Sequence, residues 1–370
     1  MSLLRRFSPQ VQLFTKRSIK SLKFPGESLD EMTSPSLIHG IHVFHCPDAV
    51  GIVAKLSECI ASRGGNILNA DVFVPEKKNV FYSRRFRLLL SSMFWCYVDI
   101  LGGLLNAFKR DSVVSFLYIP LGFYEASECL KSLKVFDPLK WTRMQMDEDF
   151  LKLSKIFDAM RSVVRVPSLD PKYKIAVLAS NQDHCLVDLL HSWQDGKLPV
   201  QITAIISNHD RGLNTHVMRF LERHRIPYHF LHTTIENKRE EEILNLVRDT
   251  DFLVLARYMQ IFSGNFLSSY GKDIINIHHG LLPSFKGGNP SKQAFDYGVK
   301  LIGATTHFVT EELDSGPIIE QMVERVSHRD NLRSFIQKSE DLEKQCLAKA
   351  IKSYCELRVL PYERNKTVVF

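Results

Sequence analysis

The stretch Asn276-Ile277-His278-His279-Gly280-Leu281-Leu282-Pro283-Ser284-Phe285-Lys286-Gly287-Gly288 decides how this 370-residue chain is read. Ile274–His278 is apolar and extended enough for a strand, and Leu282-Pro283 through Gly287-Gly288 leaves it as a loop. Side-chain direction repeats every two residues in a strand, so Asn276 and His278 share a face. Further on, Thr305–Val309 reads as another strand, which delivers an acidic turn, Leu313-Asp314-Ser315-Gly316-Pro317. An amide, an imidazole and a carboxylate with no nucleophilic Ser or Cys beside them suit attack on a small carbonyl. His279 should point away from His278, so a His-His metal site is not expected and His279 reads as loop support.

Outward from this point the pattern alternates. Strands are expected over Lys174–Ala179, Gln201–Ser207, Tyr228–Leu231, Asp251–Leu255, Ile274–His278 and Leu301–Val309. Helices are expected over Asp183–Trp193, Asn214–Arg223, Glu236–Arg248, Ser291–Tyr297 and Ser339–Tyr354. This is the signature of an α/β domain with a mainly parallel sheet, whose ligands sit outside the carboxyl ends of the strands. The domain should occupy 172–370.

Upstream, Leu37–His45, Val50–Ser62, Ile67–Val74 and Val80–Ser83 read as strand, helix, strand and strand. Asp147–Arg165 reads as one connector helix, and Pro167–Pro171 as a linker, so that a small α+β domain should span 37–146 and the connector 147–171. Between about 85 and 134 the text changes. Leu88–Phe108 is apolar apart from Asp99 and is flanked by basic residues, which gives it the length of a membrane span. Gly102-Gly103 and Asp99 weaken that reading, and an insertion, such as a retained intron would leave, is preferred.

The net charge of +7 does not point to nucleic acid. Arg5, Arg6, Lys16, Arg17, Lys20 and Lys23 all precede the first acid, Glu27, in a Ser-containing leader over 1–36. That composition is expected of a mitochondrial transit peptide and a matrix protein. The seven cysteines show no Cys-x-x-Cys pair, which excludes a disulfide framework and a zinc spacing.

Asn-x-His-His-Gly-Leu-Leu-Pro-Ser-Phe-Lys-Gly followed by Leu-Asp-Ser-Gly-Pro-Ile-Ile resembles the folate-dependent formyltransferase fold. The doubled His278-His279, Gly287–Pro290 and the Pro47-Asp48…Gly64-Gly65-Asn66-Ile67 frame of an ACT-like (ferredoxin-like, βαββαβ) module resemble formyltetrahydrofolate deformylases of plant mitochondria. The resemblance implies hydrolysis of 10-formyltetrahydrofolate to tetrahydrofolate and formate, in one-carbon metabolism linked to purine synthesis and photorespiration. It implies Asn276, His278 and Asp314 as the catalytic trio. It also implies a pterin-pocket loop at Arg257, Tyr258, Met259, Gln260 and Ile261, with Gly287 and Gly288 beside the substrate. No metal or cofactor is expected; folate is the substrate and water the acceptor. A small-molecule effector at the ACT-like module and a homo-oligomer are expected partners, nucleic acid and membrane are not. An amine-accepting, glycinamide ribonucleotide type of transferase is the alternative. Against it, Ala179-Ser180-Asn181-Gln182-Asp183 lacks the glycine-rich phosphate loop of that branch, and Asp183 should repel a phosphate. A folate-binding isoform impaired by the insertion is a further alternative.

Overall fold

The structure is a computed structural model that describes residues 39–67, 69–75, 80–84, 141–234, 236–363 and 365–370. The leader over 1–36, the insertion over 85–134 and its apolar run Leu88–Phe108 lie outside the described residues. Those described belong to one compact unit drawn from Ile38–Leu89 and Leu139–Phe370.

The first sheet takes β1 (Ile41–Pro47), β2 (Asp71–Phe73), β3 (Val80–Arg84) and β4 (Arg161–Arg165) in the order β2-β3-β1-β4, with every pairing antiparallel. Helices α1 (Ile52–Ser62) and α2 (Arg143–Ile156) complete the βαββαβ series. Ile52, Leu56 and Ile60 recur at helical spacing on one side of α1 and meet Phe44, Phe81, Trp141, Met146, Phe150 and Leu153 in one core. Thr142 starts α2 with a capping box, its hydroxyl accepting from Gln145 N–H while the Gln145 side chain accepts from Thr142 N–H. Arg63 ties the two helices by donating twice to the Asp149 carboxylate, at 2.8 and 3.1 Å.

The connector helix expected over 147–165 is corrected here. The helix ends at Ile156, and Arg161–Arg165 is a strand paired with β1. Both elements belong to the small domain. The apolar stripe of Phe150 and Leu153 did mark a helix, but the β-branched Val163-Val164 after it belong to a strand that only its pairing with β1 reveals.

The second sheet runs β11-β10-β9-β8-β5-β6-β7. Strands β5 (Tyr173–Ala179), β6 (Val200–Ser207), β7 (Tyr228–Phe230), β8 (Phe252–Leu255) and β9 (Ile274–His278) are parallel. Strands β10 (Leu301–Phe308) and β11 (Ile318–Arg325) are antiparallel additions, so the sheet is mainly rather than wholly parallel. Ile175, Val177, Val254 and Ile275 are buried in one core and Ala176, Leu178, Leu253 and Ile274 in another, as strands covered on both faces require. The crossovers are α3 (His184–Gln194), α4 (His216–His224), α5 (Glu240–Val247), α6 (Gly264–Tyr270) and α7 (Pro290–Asp296). The long α8 (Leu332–Cys355) packs on β9, β10, β11 and α3. Among the described residues no helix is long and apolar enough to cross a membrane.

After α8 a hairpin of β12 (Val359–Glu363) and β13 (Lys366–Val369) returns to the first sheet. Leu357 and Leu360 are buried against Val43 and Tyr82, and Arg84 donates twice to the Glu356 carbonyl that closes α8, at 3.3 and 2.8 Å.

Candidate active site

Strand β9 delivers Asn276 and His278, β10 delivers His307 opposite Asn276, and the turn before β11 brings back Asp314. Gly316 makes that turn possible, since a Cβ there would stand 1.7 Å from the Phe308 carbonyl oxygen. Asp314 is held at φ 51, and Phe285, Asn289 and Arg257 near it are also left-handed. Half of the eight described non-glycine residues of positive φ thus gather around one site, where backbone strain tends to concentrate.

The four polar groups interlock. His307 Nδ1–H donates to the Phe308 carbonyl at 2.9 Å, which leaves Nε2 to accept from the Asn276 amide at 3.2 Å. This assignment fixes the Asn276 side-chain orientation and leaves its second N–H for a ligand. His278 Nε2–H donates to the Phe285 carbonyl at 3.0 Å, while Nδ1 lies 3.4 Å from Asp314 Oδ2. A neutral imidazole has one N–H, so Nδ1 turns a lone pair toward the carboxylate and the pair is built to take up one proton. Asp314 Oδ2 also accepts from Gly287 N–H at 2.9 Å, and Oδ1 lies 3.7 Å from His307 Nε2.

Burial dominates the titration of both rings. It lowers the pKa of His278 below the usual imidazole range, with Asp314 and the Phe285 carbonyl pulling the other way. It lowers that of His307 too, opposed by the Phe308 carbonyl and Asp314. His279 is pushed down to about 3 by burial and by the Arg257 charge.

A cavity of about 370 Å³ adjoins this cluster, within the range of small-molecule sites. Its lining contains Asn276, His278 and Asp314, together with Arg257, Tyr258, Met259, Gln260, Ile261, Gly287 and Gly288. Every residue singled out in the sequence therefore reaches one cavity, though they do not all turn toward it alike. Met259 and Ile261 expose their apolar side chains. Tyr258 packs into the core beneath the sheet and donates to Gln260, whose amide donates to the Lys238 carbonyl. Gly287 holds the Asp314 carboxylate as well as lining the cavity. His279 lines the cavity too; the strand ends at His278, so the alternation that set it apart no longer applies. The residue the sequence did not reveal is His307. Its register opposite Asn276 was the available signal, but it depends on β10 being antiparallel.

The formyl transferase family model matches residues 173–351. Over all 370 residues the chain is 64% identical to formyltetrahydrofolate deformylase 1, mitochondrial, of Arabidopsis thaliana, with the whole of each chain covered. The chain belongs to the formyltetrahydrofolate deformylase family. A Bacillus subtilis deformylase is 33% identical, over 93% of this chain and 98% of its own. The crystal structure of the Pseudomonas syringae deformylase superposes with a TM-score of 0.69 at 32% identity, covering 97% of this chain and 99% of that one. The α/β fold and the small antiparallel domain are thus those of the deformylase family.

Proposed function

We propose that this chain is a mitochondrial hydrolase that converts 10-formyltetrahydrofolate and water to tetrahydrofolate and formate. The observation that carries the mechanism is the interlocked Asn276–His307–Asp314–His278 cluster at one wall of the cavity. The pterin takes the part of the cavity lined by 257–262, where Met259 and Ile261 offer apolar contact. The formyl oxygen accepts from the free N–H of Asn276, which strengthens as the tetrahedral oxyanion forms. Water held by Asp314 attacks the formyl carbon, and the Asp314–His278 pair takes its proton. Collapse breaks the carbon–N10 bond, and the pair returns the proton to the departing N10.

The proposal includes no metal. Among the described residues His184, Cys185 and Glu343 lie close enough together to hold an ion, but Arg257 Nε stands 3.5 Å from Glu343 Oε2 and already supplies the positive charge. We also propose a small-molecule effector at the ACT-like domain and a homo-oligomer, supported by the exposed Val50, Val53, Val72 and Val74 on that domain.

The test measures formate and tetrahydrofolate released from 10-formyltetrahydrofolate by the full chain, in EDTA and without an amine. Release confirms the hydrolase. Release only with added amine makes it a transferase, and folate binding without turnover an impaired isoform.

A further inference from the structure

The large sheet reverses its winding between β5 and β8. In open α/β sheets the ligand crevice opens outside the carboxyl ends of strands at such a switch point. Here the cavity stops short of it. The lining is drawn from β8, β9 and β10 and from the loops that follow them, and includes no residue of the Ser180–Asp183 loop after β5. Arg257 stands at the boundary. It follows β8, whose Leu255 pairs with Asn276 on one side while Leu178 of β5 pairs with the same residue on the other.

The Arg257 side chain crosses toward β5 and fills the gap. Its Nε and Nη2 both donate to Gln182 Oε1, and Nε lies 3.5 Å from Glu343 Oε2. Glu343 is itself 1% exposed, lies 2.8 Å from His184 Nε2 and accepts from Ser339. A guanidinium anchored this way, in a residue only 7% exposed, does not swing aside readily. Arg257 also sits at φ 63, where glycine is at ease and a side chain is resisted. Asp183, expected to repel a phosphate, is instead paired with Arg211 at 3.2 Å, so its charge is not the barrier.

We infer that Arg257 is the specificity-determining residue that closes the acceptor side of the site to anything much larger than water. This rests on the hydrolase reading above. Transfer to an amine would break the carbon–N10 bond and form a carbon–nitrogen bond to the amine, which loses a proton as N10 gains one. The Asp314–His278 pair handles a proton from either acceptor, so room decides between them.

Arg257→Gly suits the backbone, and Arg257→Gly with Glu343→Gln also avoids leaving a buried carboxylate without its partner. Full-length wild type and both variants are given 10-formyltetrahydrofolate with glycinamide or glycinamide ribonucleotide, and formate and formylated amine are quantified. Wild type should release formate and leave the ribonucleotide unformylated. The variants should raise formylated amine at least ~10-fold, at the expense of formate. Wild type that formylates the ribonucleotide overturns the inference. So do variants that bind 10-formyltetrahydrofolate yet formylate neither amine. A wild type that releases no formate defeats the hydrolase reading itself, before any variant is compared.

Discussion

Removing the His307 ring to give His307→Phe tests whether the Asn276 amide is held in place by an acceptor rather than by shape alone. The Asn276 Nδ2 to His307 Nε2 bond, 3.2 Å long, is the one hydrogen bond recorded for the Asn276 side chain among the described residues. Deleting its acceptor leaves a half-buried donor unpaired and free to turn, a loss of about 1–3 kcal/mol, which is roughly 5- to 150-fold in kcat. Asn276→Ala removes the oxyanion donor itself and should lose about 2.7–4 kcal/mol. If His307 acts through Asn276, the double variant should be no slower than Asn276→Ala alone, and the coupling energy should equal the whole His307 effect. His307→Gln keeps an acceptor and should recover part of the rate. Steady-state formate release gives kcat and KM for the wild type and the four variants; KM should barely move, because the 257–262 wall proposed for the pterin is untouched. Additive losses, or a His307→Phe effect confined to KM, would refute the orienting role.

Asp314→Asn should lower kcat by roughly 10²–10⁴-fold, because the amide cannot take up the proton; a fall of less than tenfold in a stable protein would remove it from the mechanism. Acid should destabilise the fold through His42, which stacks on Phe150 at 3.9 Å and whose pKa burial pushes down from 6.5 to about 3. The folded value lies below the unfolded one, so this stability is complete above pH 6.5 and is lost as pH falls toward 3, at about 1.4 kcal/mol per pH unit. Denaturant unfolding at several pH values should show a shallower slope in His42→Phe, and an unchanged slope would contradict the assignment. Leu360→Ala removes a side chain that is 2% exposed between the hairpin and the first sheet. It should cost about 2–5 kcal/mol and speed proteolysis of the small domain before the large one.

Much of the large domain was legible because its signals are local. The strand Ile274–His278 agrees with its expected bounds, and β5 and β6 begin within one residue of theirs. That Asn276, His278, Asp314 and the 257–261 loop meet at one cavity could be read because such polar residues are unusual at strand ends. The direction of β10 was not legible, since an eight-residue buried strand reads alike in either direction, and His307 was lost with it. The strand β11 was missed because Ile318–Arg325 is only half-buried and mixes charge with apolar residues. Arg257 could be placed in the pocket from sequence, yet the turn of its side chain toward Gln182 depends on Glu343, far away on α8. The fourth strand of the small domain was absorbed into a helix because its partner, β1, lies more than a hundred residues earlier.

The contact of Leu357, Leu360 and the Arg84–Glu356 bond with the first sheet sets a timetable for biosynthesis. Val43 and Tyr82 leave the ribosome early, but the residues that cover them follow Arg84 by most of the chain. At roughly 5–20 residues per second that interval is on the order of half a minute. Through it the small domain keeps an uncovered apolar face, so it cannot lock before the large domain is made. For a polypeptide that must cross mitochondrial membranes unfolded, a first domain that waits for the last hairpin delays premature folding on the wrong side.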